Sequence, residues 1–115
     1  EKDAERVLAD ARGAEQAGAF AVVLEGIPPQ LAGEITRSLK IPTLGIGAGP
    51  QCSGQILVLY DLLGLTHLEA DAYPKFVRCY AEMAQEIVRA VRAFKSDVEQ
   101  GVFPAEEHCY NLLRT

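Results

Sequence analysis

The run Ile41-Pro42-Thr43-Leu44-Gly45-Ile46-Gly47-Ala48-Gly49 closes an apolar segment with a Gly-x-Gly-x-Gly loop. Upstream of it, Phe20-Ala21-Val22-Val23-Leu24 is a second apolar run, and it ends on Glu25. Neither run alternates apolar with polar residues, which is the pattern of strands covered on both faces in a parallel sheet. Two such strands, one finishing in a carboxylate and the other in a glycine loop, read as neighbours in a parallel barrel. Their C-terminal ends then meet at one active-site face. Chemistry is expected at Glu25 and around Gly47, with Glu25 partly buried beside Val23, Leu24 and Ile27.

Before these strands, Val7, Leu8, Ala11, Ala14 and Ala17 recur at helical spacing and Gly18 stands where a helix ends, predicting a helix over 2–17. Gly26-Ile27-Pro28-Pro29 breaks the first strand, and proline in a first helical turn starts a short helix with Leu31, Ile35 and Leu39 inward. A strand, helix, strand unit of this kind is parallel and right-handed in nearly all proteins. Gln55-Ile56-Leu57-Val58-Leu59 reads as a third strand, with a helical turn over 60–65. It follows the second by only about eight residues, fewer than the dozen or so a helical crossover usually takes. From Pro74, the residues Phe76, Val77, Tyr80, Ala84, Ile87, Val88, Val91 and Phe94 keep helical period to about Glu99, with a kink near 83–85 and Gly101 closing the helix. The tail from Val102 is irregular.

With 115 residues, 49% of them hydrophobic, the chain has the length and apolar content of one globular domain. Its net charge of -5 and the eleven scattered Lys and Arg give no basic footprint for nucleic acid or an anionic membrane. Cys52, Cys79 and Cys109 form no C-x-x-C pair and are odd in number, which argues against a disulfide framework or a zinc site and for a reducing, cytoplasmic compartment. No stretch reaches the roughly 20 apolar residues of a membrane span. The first residues do not resemble a signal peptide.

Three parallel strands with outer helices make an unfinished object, since a closed barrel needs eight. Either an N-terminal half supplies the rest, which the helical start without an initiator Met favours, or copies of the chain assemble. Five strings then become specific in order and spacing: Val-Val-Leu-Glu-Gly-Ile-Pro (22–28), the nonapeptide at 41–49, Gly-Gln-Ile-Leu-Val-Leu-Tyr-Asp-Leu-Leu-Gly (54–64), Pro-Lys-Phe-Val-Arg (74–78) and Gly-Val-Phe-Pro-Ala-Glu-Glu-His (101–108). Together they resemble the C-terminal portion of the ketopantoate hydroxymethyltransferase family over nearly the whole chain.

The resemblance implies that residues 1–115 are about the last three strands and helices of a (β/α)8 barrel of the phosphoenolpyruvate/pyruvate superfamily type. It implies a partner in the N-terminal half of the same enzyme and a homo-oligomer built as a large ring, such as a decamer. The implied reaction transfers a hydroxymethyl group from 5,10-methylenetetrahydrofolate to 3-methyl-2-oxobutanoate, giving 2-dehydropantoate for pantothenate synthesis. In such enzymes Mg2+ chelated by the 2-oxo acid makes the neighbouring C–H acidic. The proton-accepting glutamate falls on Glu25, while the Mg2+ ligands fall upstream of Glu1. Ser53 stands where the family commonly has Asp, Tyr60 where it often has His, Gln or Trp, and the tail 111–115 runs past the usual end.

Other readings of these residues stand beside this one. Glu25 is also placed for a capping or salt-bridged carboxylate. Gly45, Gly47 and Gly49 could cradle a phosphate, yet no P-loop Lys or Ser/Thr follows, so Gly47 and Gly49 are assigned to close backbone packing and substrate clearance. His67 and His108 lack a second ligand at metal spacing. Cys52 has no nearby histidine to activate it. Asp61 caps the following turn or orients a loop, and Tyr80, Met83 and Phe94 are core or subunit contacts. Two further function classes share the fold: a Mg2+-dependent lyase or mutase of the same superfamily acting on another 2-oxo acid, and a non-catalytic half-barrel serving as an assembly module.

Overall fold

The computed structural model describes residues 2–110. It is an α/β chain that divides into two compact units, one running to Leu59 with Pro74–Arg78 added, the other Tyr60–Tyr73 with Cys79 onward. In the first unit, helix α1 (Lys2–Gln16), strand β1 (Val22–Glu25), helix α2 (Pro29–Ser38), strand β2 (Thr43–Ile46) and the two-residue strand β3 (Gly54–Gln55) follow one another. The sheet is parallel with order β1-β2-β3.

Helix α1 stops where Gly18 adopts φ +95°, a left-handed conformation that any side chain would oppose. There the Gly18 N–H reaches the Glu15 carbonyl at 3.0 Å and the Ala19 N–H the Ala14 carbonyl at 3.1 Å. The carboxylate of Glu15 accepts from the N–H groups of Lys40 at 2.6 Å and Ile41 at 3.0 Å, tying the end of α1 to the chain entering β2. Helix α2 begins with proline at its first turn, where the missing N–H costs nothing. Both helices pack on one sheet face, and the core between them is Ala11, Leu24, Ala32, Ile35, Leu39 and Ala48. Half of these residues are alanine, so little apolar area leaves water here.

Side chains alternate across a strand, so the register Val22↔Thr43, Leu24↔Gly45 places these four residues towards the helices. Val23, Glu25, Leu44 and Ile46 take the other face. Thr43 is fully buried, and its hydroxyl is spent: it hydrogen-bonds the Thr36 hydroxyl at 2.7 Å and accepts from the Ser53 N–H at 3.2 Å. The Ser53 hydroxyl in turn accepts from the Thr43 N–H at 3.1 Å. This reciprocal pair pins the end of the glycine loop to the start of β2. Ser53 therefore holds this position through both its hydroxyl and its backbone N–H.

Three sequence expectations need correction. The first strand is not covered on both faces: Val23 is 52% exposed and Glu25 is exposed, because α1 and α2 occupy one side only. The third strand is shorter than 55–59. Its ladder ends with the Ile56 N–H on the Gly45 carbonyl at 3.0 Å, and helix α3 (Leu59–Leu62) starts within the apolar run. The long helix α4 (Met83–Glu99) starts well after Pro74. The N–H groups of Tyr80, Met83 and Ala84 bond the carbonyls of Leu62, Leu63 and Gly64, not those four residues back, so no helical ladder runs before Met83.

In the second unit α4 has no buried residue, and Met83, Ile87, Val91, Phe94 and Val98 stand exposed along it. Glu86 and Arg89 pair on its surface, and the guanidinium holds the carboxyl of Glu86 below the usual carboxylate range. Tyr80, Met83 and Phe94 are thus not core residues of this chain. The helix ends at Gly101, whose N–H bonds the Val98 carbonyl while that of Val102 bonds Asp97. The tail expected to run past the usual end, 111–115, lies outside the described residues. No helix among the described residues is long and apolar enough to cross a membrane.

Candidate functional site

Glu25 is the last residue of β1, and the following N–H, of Gly26, donates to the Ile46 carbonyl at 2.9 Å. Because Glu25 is in register with Ile46, the two strands finish in step and Glu25 emerges beside Gly47. Adjacent strand backbones lie about 4.8 Å apart, so one small molecule at this end touches both. The Glu25 carboxylate is exposed, not partly buried as its neighbours predict, and none of the ion pairs among the described residues engages it. Its acceptor oxygens are open to a ligand.

Gly47 turns the chain out of β2 with φ +63°, and a Cβ there would stand 2.9 Å from Cδ1 of Phe76. Two constraints coincide: a left-handed backbone that a side chain opposes, and an aromatic ring against the bare α-carbon. Gly47→Val should therefore cost roughly 1–2 kcal/mol in backbone strain alone, plus the displacement of Phe76. In the complete protein we expect a lowered urea midpoint and weakened substrate binding. A folded variant with unchanged substrate affinity would reduce the loop to a connection.

Gly49 is held differently. A Cβ on it would come within 2.7 Å of the Pro29 Cβ, so it lets the loop close onto the start of α2. The Gln55 side-chain amide donates to the Gly49 carbonyl at 2.9 Å and fixes the same turn. Gly45 sits over Cys52, whose sulfur would be 2.9 Å from an added Cβ, and Cys52 packs against the core. These contacts give the glycine loop a packing role at Gly45 and Gly49, as Phe76 does at Gly47.

The remaining candidates belong to the second unit. The Asp61 carboxylate accepts from the Thr66 hydroxyl at 2.5 Å, closing the turn after α3 by side chain rather than as a cap. The Tyr73 hydroxyl bonds both the N–H and the carbonyl of His67, and the two rings meet edge to face at 4.9 Å. His108 accepts from the Ala105 N–H through Nδ1 and packs on Phe103 at 4.9 Å. Both histidines have local structural work. Among the described residues no group of three or more His, Cys, Asp or Glu is gathered to hold a metal ion. Phe76 is the site neighbour that periodicity assigned to a helix; Pro74, two residues before it, is the signal for the turn that carries it instead.

A parallel α/β sheet that presents a free carboxylate beside a left-handed glycine turn at its C-terminal strand ends has the layout of a small-molecule site of the parallel α/β class. A family model described as ketopantoate hydroxymethyltransferase matches residues 1–106, and the chain belongs to that family. Curated relatives named 3-methyl-2-oxobutanoate hydroxymethyltransferase include proteins of Trichlorobacter lovleyi (55% identical over 108 residues), Pelobacter propionicus (52% over 110) and Chlorobaculum parvum (51% over 108). The aligned regions take in 94%, 96% and 94% of this chain but 40%, 40% and 38% of those relatives. The chain thus spans about two-fifths of the length of the curated relatives it matches.

Proposed function

We propose that the chain is the C-terminal part of a hydroxymethyltransferase that acts on 3-methyl-2-oxobutanoate, and that Glu25 is its proton acceptor. The free carboxylate at the end of β1, beside the Gly47 turn, is the observation that carries this reading. The three-stranded parallel sheet is then part of a (β/α)8 barrel whose other strands come from the N-terminal part of the enzyme. Val23 and Glu25 face the barrel interior on this reading, which accounts for an apolar side chain left bare on that side.

Glu25 takes the proton from C3 of the 2-oxo acid. The electron pair left behind forms the enolate. Water opens the methylene bridge of 5,10-methylenetetrahydrofolate, its two hydrogens going to the folate nitrogens as tetrahydrofolate leaves and its oxygen staying on the carbon as formaldehyde. The enolate adds through C3 to that carbon, and the alkoxide formed takes the proton back from Glu25 to give 2-dehydropantoate. A base on a strand end is carried by a backbone that the ladder with β2 holds in place, which limits the positions its carboxylate can take relative to C3. Mg2+ in such a reaction would draw electrons from the 2-oxo group. On this reading its ligands belong to the N-terminal part, as the family resemblance implies, and no step of Glu25 depends on placing the metal here. Gly47 keeps the backbone clear of the substrate. Assembly into a ring of identical subunits and a cytoplasmic location accompany this reading.

The complete polypeptide should exchange the C3 hydrogen of 3-methyl-2-oxobutanoate for deuterium in D2O. It should release tetrahydrofolate in step with 2-dehydropantoate when the folate is added. Exchange followed by cleavage or rearrangement of the acid without folate would replace transfer by lyase or mutase chemistry.

A further inference from the structure

We propose that Phe76 is a specificity-determining residue that recognises the branched carbon chain of the 2-oxo acid; this rests on the functional reading above. Among the described residues, Pro74–Arg78 are the one later stretch that joins the first unit. They form a turn closed by the Val77 N–H on the Pro74 carbonyl at 2.9 Å. That turn brings one edge of the Phe76 ring to Gly47: an added Cβ would lie 2.9, 3.0 and 3.4 Å from Cδ1, Cγ and Cε1. The ring is nevertheless 46% exposed. The ring thus lies over Gly47, next to the strand end where Glu25 emerges, with nearly half of its surface open.

Deprotonation at C3 fixes what must touch the ring. The base reaches C3–H, so the two methyl groups on that carbon lie within contact distance of whatever surrounds the Glu25 carboxylate. Ile46, in register with Glu25 on the same sheet face, and Phe76 over the adjacent Gly47 are apolar and carry no group able to compete for the proton. Such a wall favours a substrate with both methyls over one that lacks one, since a single methyl in an apolar pocket is worth roughly 10-fold or more in specificity. The glycine at 47 is part of the same device, because a side chain there would push the ring away.

The test uses the complete polypeptide and its Phe76→Ala and Phe76→Leu variants, with 3-methyl-2-oxobutanoate and the straight-chain 2-oxobutanoate as alternative acceptors. The expected result is a wild-type preference for the branched acid in kcat/KM that falls about 10-fold in Phe76→Ala, mainly through KM. Phe76→Leu, which keeps apolar bulk, should fall between them. Deuterium exchange at saturating acid should stay within a few-fold of wild type. A wild type active on both acids alike overturns the proposal, as does a preference that survives Phe76→Ala with both acids losing equally, which would make the ring merely structural. A wild type that exchanges no C3 hydrogen overturns the functional reading and this proposal together.

Discussion

Glu25→Gln in the complete enzyme is expected to lower turnover by about 100-fold or more, the order of rate that a positioned general base supplies. Glutamine keeps the shape and the strand-end position but cannot accept a proton. Its neighbours should hardly notice: the side chain is exposed and none of the described ion pairs uses it, so neither packing nor a salt bridge is lost. Affinity for the 2-oxo acid should stay within a few-fold of wild type, and the urea midpoint should be unchanged. The decisive measurement is C3 deuterium exchange without folate, which isolates proton removal from transfer. If exchange proceeds at the wild-type rate, Glu25 is not the base, whatever happens to the overall reaction.

The position of Glu25 at a strand end was legible because strand ends are marked by composition. An apolar run interrupted by Glu25-Gly26 and another closed by Gly45-Ile46-Gly47 show where each strand stops, and the short joints force the two to be neighbours. The helices α1 and α2 were legible for a similar reason, with Gly18 and Pro28-Pro29 punctuating the period. What periodicity could not show was where backbone hydrogen bonds go. The stretch Ile56-Leu57-Val58 looks like a strand, yet only the Ile56 N–H finds the β2 ladder before the chain curls into α3. The apolar spacing of Phe76, Val77 and Tyr80 fits a helix equally well. The N–H of Tyr80 is taken by Leu62, and the separate turn at Pro74 sends Phe76 to Gly47. Contacts between residues distant in sequence decide both places, and a local period carries no information about them.

The second large effect concerns residues 1–115 produced alone, which should show no transfer activity and no cooperative unfolding transition. The reason is the balance of buried and bare apolar surface. The buried core holds Ala11, Ala32 and Ala48 among its few members, while Phe20, Val23, Val58, Val91, Phe94 and Val102 are each more than half exposed. A chain of this size gains too little from such a core to offset the ordering of its backbone. The sheet adds a cost of its own, since β1 and β3 are its outer strands and their free edges invite pairing with other copies. Near-ultraviolet dichroism should therefore be weak and a dye for exposed apolar surface should bind, the signature of a molten state or of aggregation. Adding a separately produced N-terminal part, taken from the complete enzyme and ending before α1, should restore near-ultraviolet signal and tetrahydrofolate release together, because the break then falls outside every strand ladder. Recovery of structure without activity would place the base elsewhere. A folded and active 115-residue chain by itself would overturn the shared barrel and require copies of this chain to complete one another.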